Sequence, residues 1–300
     1  MQGMRTQELQ TGAAAKRGIS LLKEMRMDDS IPRAIMKLKN EFVQAYKGHS
    51  LLREILPLSH SKYLPIDDDM LHSLHRFASA NPIYVRSYDL EISGIACRVY
   101  EGDINSYWLT SKKYDTSYQP FYPTWMLSAF ALAHGAKSLG FEQLVDVGSG
   151  DGRIPYCGRL LGMESHGVEI DHDLAQLQDS ISSATGVRYN SIRADATRFD
   201  YGTLELSRPM FFISGLPEMG EMLADSVIKQ IRSIKALRHI AGFNFMGSHI
   251  MKTFSRDKTG WGWGSVIASY NLELIGTVTL PTLWTTDQVV DTAYVYTMLK

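Results

Sequence analysis

Cysteine is almost missing from this chain: Cys97 and Cys157 are its only two in 300 residues. Two thiols cannot staple a fold, which excludes a disulfide scaffold and predicts a reducing, cytoplasmic setting. Charge of one sign is lacking as well. A formal net charge of −1 provides no global pull toward nucleic acid or an anionic membrane, and argues against either as a partner. No stretch approaches the roughly 18 uninterrupted apolar residues of a membrane span. The opening MQGMRTQELQ lacks the apolar centre of a signal peptide. Internal repeats and low-complexity tracts are absent too. What remains is ordinary globular material, 44% apolar and 21% charged, long enough for one large domain and a smaller one.

The first region, residues 1–117, reads as helical with a hairpin. KRGISLLKEM and IPRAIMKLKNEFVQAY carry apolar residues at helical spacing, with Ile31, Ile35, Leu38 and Phe42 on the second stripe. Pro32 suits a first turn. DDDMLHSLHRFA predicts a short helix with Asp67 to Asp69 at its positive end. PIYVRSYDLEISGIACRVYEG alternates and breaks at Ser93–Gly94, a hairpin signal. His72 and His75 share a helix face, yet no Cys or acidic set accompanies them, so no metal site is expected.

From residue 118 to 300 strand-like and helical runs alternate, which predicts a mostly parallel α/β sheet covered on both faces. The helix after Pro217 places Leu223, Val227, Ile231 and Ile234 on one stripe. ASYNLELIGTVTL and VVDTAYVYTML then follow with no helix between, and read as an antiparallel pair at the sheet edge.

The central signal is QLVDVGSGDGRIPY, residues 143–156. A dinucleotide turn needs glycine at its first, third and sixth positions. Gly148 and Gly150 fill the first two, but Arg153 stands sixth. Asp146 and Asp151 would also repel a phosphate at the helix start. The turn suits instead a ligand whose near end is cationic, and S-adenosylmethionine carries an ammonium and a sulfonium there. Asp151 either caps the helix or touches the ligand. Arg153 faces either the ligand carboxylate or solvent.

These residues resemble the class I S-adenosylmethionine-dependent methyltransferases over about Phe121 to Lys300. The matching positions are Asp146, Gly148, Gly150 and Gly152, then Glu169 closing HGVEID and Asp195 in IRADATRFD. The resemblance implies a Rossmann-like seven-stranded sheet with a terminal antiparallel hairpin. It also implies S-adenosylmethionine as cofactor, held by Thr124, Asp146, Gly148, Ser149, Gly150, Glu169, Ile170, Asp195, Ala196 and Ser214. In that arrangement Asp146 meets the ammonium, Glu169 the ribose hydroxyls and Asp195 the adenine amine.

The approach segment SYQPFYPTWM is dense in aromatics. Its Pro123–Thr124 pair, with the core motif, resembles the non-SET protein lysine methyltransferases of the telomeric-silencing type and their compact archaeal members, which lack a large N-terminal region. That likeness implies a protein lysine amine as methyl acceptor, with Tyr122 and Glu218 as catalytic candidates. The loop tyrosine maps onto either Phe121 or Tyr122, and Glu218 either accepts from the amine or caps its helix. Tyr118, Phe121, Trp125, Trp261 and Trp263 are expected to wall the substrate entrance, although the two glycine-flanked tryptophans would otherwise pack on the N-terminal helices. A small-molecule N- or O-methyltransferase is the alternative, RNA methylation a weaker one, and a non-catalytic scaffold a third. The N-terminal region is expected to cap the substrate.

Overall fold

The computed structural model describes residues 27–46, 52–103, 121, 123–214, 217–246, 263–281 and 292–300. Near the start, helix α1 (Ser30–Ala45) buries Ile31, Ile35, Leu38 and Phe42, the stripe its spacing predicts. Helix α2 (Asp68–Ala80) begins where Asp67 accepts a hydrogen bond from the Met70 N–H at 2.9 Å. The hairpin is strands β2 (Tyr84–Ile92) and β3 (Ile95–Gly102). Ser93 and Gly94 turn it with φ of 51° and 79°, the two successive left-handed residues that match the twist of paired strands.

One strand escapes the sequence reading. LREILP forms β1 (Leu52–Pro57), which pairs antiparallel with β3 from Leu52↔Gly102 to Pro57↔Cys97. Arg53 and Glu54 interrupt its apolar run, yet all six residues are buried, so polarity hides a fully covered strand. The small sheet has the order β1-β3-β2.

The second part holds helices α3 (Met126–Ser138), α4 (Arg153–Leu160), α5 (His172–Thr185), α6 (Pro217–Ser233) and α7 (Trp263–Ser269). Its strands are β4 (Gln143–Val147), β5 (Glu164–Glu169), β6 (Asn190–Arg193), β7 (Pro209–Ile213), β8 (Gly242–Met246), β9 (Glu273–Leu280) and β10 (Thr292–Met298). They form a seven-stranded sheet of order β6-β5-β4-β7-β8-β10-β9. Strands β4 to β8 run parallel, whereas β10 is antiparallel to both β8 and β9. This is a Rossmann-like, mostly parallel sheet with the expected antiparallel hairpin at its end.

Alternate residues of these strands feed two cores. Val145, Phe211, Phe243, Phe245 and Val295 face α6 and α7. In α6, Val227 and Ile231 are fully buried while Leu223 and Ile234 pack at the margin. On the other face, Leu144, Met210, Phe212, Tyr294 and Tyr296 join α3, α4 and α5. That cluster continues without a break into Ile35, Phe42, Leu74, Phe77 and Val99 of the first region. Residues on both sides of position 117 thus build one core. Helix α3 lies inside it, which explains why it is apolar nearly all round. No described helix is long and apolar enough to cross a membrane.

Candidate functional site

Strand β4 runs into the glycine turn at its carboxyl end, the place where open α/β sheets bind ligands. Gly148, Gly150 and Gly152 all hold positive φ, at 75°, 56° and 80°, where a side chain is strained. Space demands glycine as well. A Cβ on Gly150 would stand 2.5 Å from the Phe121 ring, and one on Gly152 1.8 Å from the Tyr189 hydroxyl. The N–H groups of Gly148 and Ser149 donate to Val168 O at 2.9 and 3.1 Å, tying the turn to β5. From α5, Gln178 Nε2 donates to Ser149 Oγ and Gly150 O, both at 2.8 Å.

Two carboxylates flank the turn. Glu169, 6% exposed, closes β5 and accepts from Gly150 N at 2.7 Å and Asp171 N at 2.9 Å. Burial pushes its carboxyl up to about 7. Of the roughly four lone-pair sites of a carboxylate, about two are left for other donors. Asp146 is buried, and its Oδ1 has no hydrogen-bond partner among the described residues. Burial, followed by the charges of Glu169 and Asp151, holds it well above the usual carboxylate range. Such a pair resists a phosphate and favours a ligand bringing positive charge and hydroxyl donors.

Behind the turn lies an ion network. Arg153, 2% exposed, faces neither solvent nor the ligand side. Its Nε donates to Asp151 Oδ1 at 2.9 Å and its Nη2 to Asp151 Oδ2 at 2.5 Å. Nη1 donates to Glu54 Oε1 at 2.6 Å and to Thr124 O at 2.5 Å. Glu54 also accepts from the Tyr84 hydroxyl at 2.9 Å and, through Oε2, from Met126 N at 2.7 Å. That last bond satisfies an N–H at the start of α3, which its own helix leaves free. Asp151 further accepts from Asn81 Nδ2 at 2.8 Å. A single guanidinium therefore ties the N-terminal sheet, the segment before α3 and the glycine turn together.

The expected contact residues divide. Thr124 lends its carbonyl to Arg153. Ile170 is 37% exposed beside Glu169, an uncovered apolar side chain next to a buried acid. Asp195 Oδ1 accepts from Thr197 N at 2.9 Å and Thr197 Oγ1 at 2.7 Å, so it orders its own loop. The Ala196 carbonyl accepts from the Tyr201 hydroxyl at 3.1 Å. Ser214 Oγ is enclosed with no partner. Asp171 caps α5, accepting from Asp173 N and Leu174 N.

Two aromatic expectations need correction. Trp263 opens α7 and is 3% exposed, its ring stacked on Phe245 at 4.9 Å. Phe121 and Trp125 belong to the core on the other face of the sheet. Trp263 is held by aromatic packing, not presented on a loop opposite them. Trp125 is fully buried and donates to Arg53 O at 3.0 Å, so it anchors the loop to β1. Tyr118, Tyr122, Trp261 and the side chain of Glu218 lie outside the described residues. His75 is engaged by the Tyr100 hydroxyl and Pro57 O, and no cluster of metal-ligating side chains occurs among the described residues.

Sequence reasoning missed Glu54, Asn81, Tyr84 and Gln178. Only Glu54 left a trace, as an acid inside the apolar run LREILP.

In comparisons with known proteins, no family model and no curated protein matches the chain. Solved structures similar to it include a TehB-like SAM-dependent methyltransferase from Corynebacterium glutamicum, at 15% identity and TM-score 0.38, covering 57% of this chain and 88% of that one. TrmN from Thermus thermophilus matches at 13% identity and TM-score 0.41, over 72% of this chain and 60% of its own. MtNAS, solved in complex with MTA and tNA, matches at 21% identity and TM-score 0.40, over 58% of this chain and 61% of its own. For TrmN and MtNAS the match spans less than two thirds of the known structure. These are likenesses of fold.

Proposed function

We propose that this chain is a class I methyltransferase that takes its methyl group from S-adenosylmethionine. The observation that carries the reading is the pair Asp146 and Glu169, two buried acids beside a turn of left-handed glycines. Asp146 Oδ1 lacks a partner, which fits an ammonium, directly or through water. Glu169 keeps acceptor capacity for a ribose diol, with charge-assisted strength. In this reading Gly148, Ser149 and Gly150 let the backbone approach the cofactor, and Ile170, Asp195 and Ala196 are assigned to its adenosine end. Bound there, the cofactor would supply a methyl group on a cationic sulfur and leave as the neutral thioether, the acceptor's proton passing to water. The N-terminal sheet serves as a cap in this reading, because Glu54 accepts from Met126 N and, with Tyr84, engages the Arg153 guanidinium that donates to Thr124 O.

For the acceptor, the Pro123–Thr124 loop motif supports a protein lysine amine, with Tyr122 and Glu218 as its catalytic candidates. A small-molecule acceptor is the second reading. It is favoured by the inward packing of Trp125 and Trp263, which removes two walls from the aromatic channel an alkylamine would need to shed its water.

Equilibrium dialysis with labelled S-adenosylmethionine and with NAD tests the cofactor. Retention of the first and not the second is expected, and the reverse overturns the reading. Incubating a cell extract with methyl-labelled cofactor then separates the acceptors. Label in protein supports lysine, and label confined to small molecules selects the second reading.

A further inference from the structure

Asn244 is 1% exposed in the middle of β8, and among the described residues neither its Nδ2 nor its Oδ1 has a hydrogen-bond partner. A buried amide with both ends unpaired is a costly choice for a central strand, where an apolar residue would pack freely. Its strand neighbours do not relieve it. Phe212 stands beside it on β7 and Tyr296 on β10, and the Tyr296 hydroxyl donates to Leu132 O.

The register places this amide at the candidate site. Asp146 pairs with Phe212, and Phe212 pairs with Asn244, so the three share one level and one face of the sheet. Two strand spacings separate Asp146 from Asn244, about 10 Å. Ser214 stands just past Ile213, the last residue of β7. Its Oγ is enclosed and unpaired too. Strands β4 and β8 thus each direct an unsatisfied polar group to the same side, and a third such group follows the end of β7 between them. Asp146 belongs to the cofactor half in the reading above, which leaves Ser214 and Asn244 beside it for the molecule that reacts.

We infer that Asn244, with Ser214, reads the methyl acceptor. The acceptor is a small molecule whose nitrogen sits in a planar group with an N–H beside a hydrogen-bond acceptor, as in a carboxamide or an amino-substituted heteroaromatic ring. A carboxamide side chain offers one donor and one acceptor side by side, and only a partner with the complementary pair satisfies both. An alkylammonium donates only and would leave Nδ2 stranded. Enclosure at this depth suits a small ligand. The chain's net charge of −1 offers no field for a phosphate backbone.

The inference rests on the methyltransferase reading for its chemistry and takes that reading's small-molecule acceptor in place of the lysine amine, yet its test does not require turnover. Benzamide, adenine and n-butylamine are titrated into the full chain with and without S-adenosylhomocysteine, followed by ligand-observed NMR. Benzamide or adenine should bind about tenfold more tightly than butylamine, a difference of one satisfied hydrogen bond. Asn244→Leu should remove that preference while leaving S-adenosylhomocysteine affinity unchanged. The same variant should melt no lower than the parent, since an apolar group of similar shape replaces an unpaired amide. Butylamine binding as well as the planar probes, no planar probe binding, or a preference that survives Asn244→Leu would each overturn the inference. A lowered melting temperature would do so too, because it would mean the amide is held by an internal water. If S-adenosylhomocysteine fails to bind while the planar probes still bind through Asn244, the cofactor reading fails and this one stands.

Discussion

The two faces of the seven-stranded sheet are made from alternate residues of the same strands, yet they differ in kind. Under α6 and α7 the face is an aromatic ladder, with Phe211 to Phe243 at 5.5 Å, Phe243 to Phe245 at 6.2 Å and Phe245 to Trp263 at 4.9 Å. Under α3 and the N-terminal region the face is equally apolar in bulk. It also encloses Glu54, Asp146, Asp151 and Glu169, with Arg153 as the guanidinium among them. Apart from the enclosed Trp263 indole N–H, packing alone accounts for the first face. It cannot account for the second, because burying charge is unfavourable unless each charge is matched. Arg153 is shared by Asp151 and Glu54, while Asp146 meets no cation among the described residues. Both faces contribute to stability, but the unpaired carboxyl that marks a ligand site lies on the polar one.

Breaking the matched part of the polar face should have the largest effect. Arg153→Met leaves Asp151 and Glu54 buried without a counter-charge, and should lower the unfolding free energy by about 3–5 kcal/mol in denaturant titrations. A loss under about 1 kcal/mol would show that the network is not what joins the N-terminal sheet to the turn. Next comes the unmatched part. Glu169→Ala should weaken S-adenosylmethionine binding by about 30-fold, the worth of roughly 2 kcal/mol in charge-assisted hydrogen bonds. An unchanged dissociation constant would remove Glu169 from the cofactor. The aromatic face sharpens the contrast. Phe243→Leu nearly conserves volume and should cost less than about 1.5 kcal/mol of stability. Cofactor affinity should not move, and a clear loss of affinity in this variant would break the division between the faces.

Much of this was legible in the chain where the signal is local. The glycine turn, Glu169 and the Ser93–Gly94 hairpin are written within a few residues, and each imposes a backbone geometry that few other residues accept. The terminal hairpin was readable because two strand patterns meet with no helix between them. Contacts across long separations were not. Glu54 and Arg153 lie 99 positions apart, and nothing around either residue names the other. Their charges even misled, hiding β1 and suggesting that Arg153 faced solvent or ligand. Trp263 failed differently. Flanking glycines made it look like a loop residue, whereas stacking on Phe245 draws it into a helix and a core.

The central claim, that the polar face binds S-adenosylmethionine through ionised Glu169, is tested most directly by calorimetry across pH. Burial raises the Glu169 carboxyl from its ordinary 4.5 to about 7. The stability this group contributes is therefore complete below pH 4.5 and is lost as pH rises through 7. Over that window the free protein weakens, while a ligand donating to the ionised carboxylate gains. From about pH 6 to about pH 8 the cofactor should bind about tenfold more tightly and release a proton at the lower pH. Glu169→Gln should flatten that dependence. Affinity that is flat in the parent, or that falls as pH rises, would contradict the account.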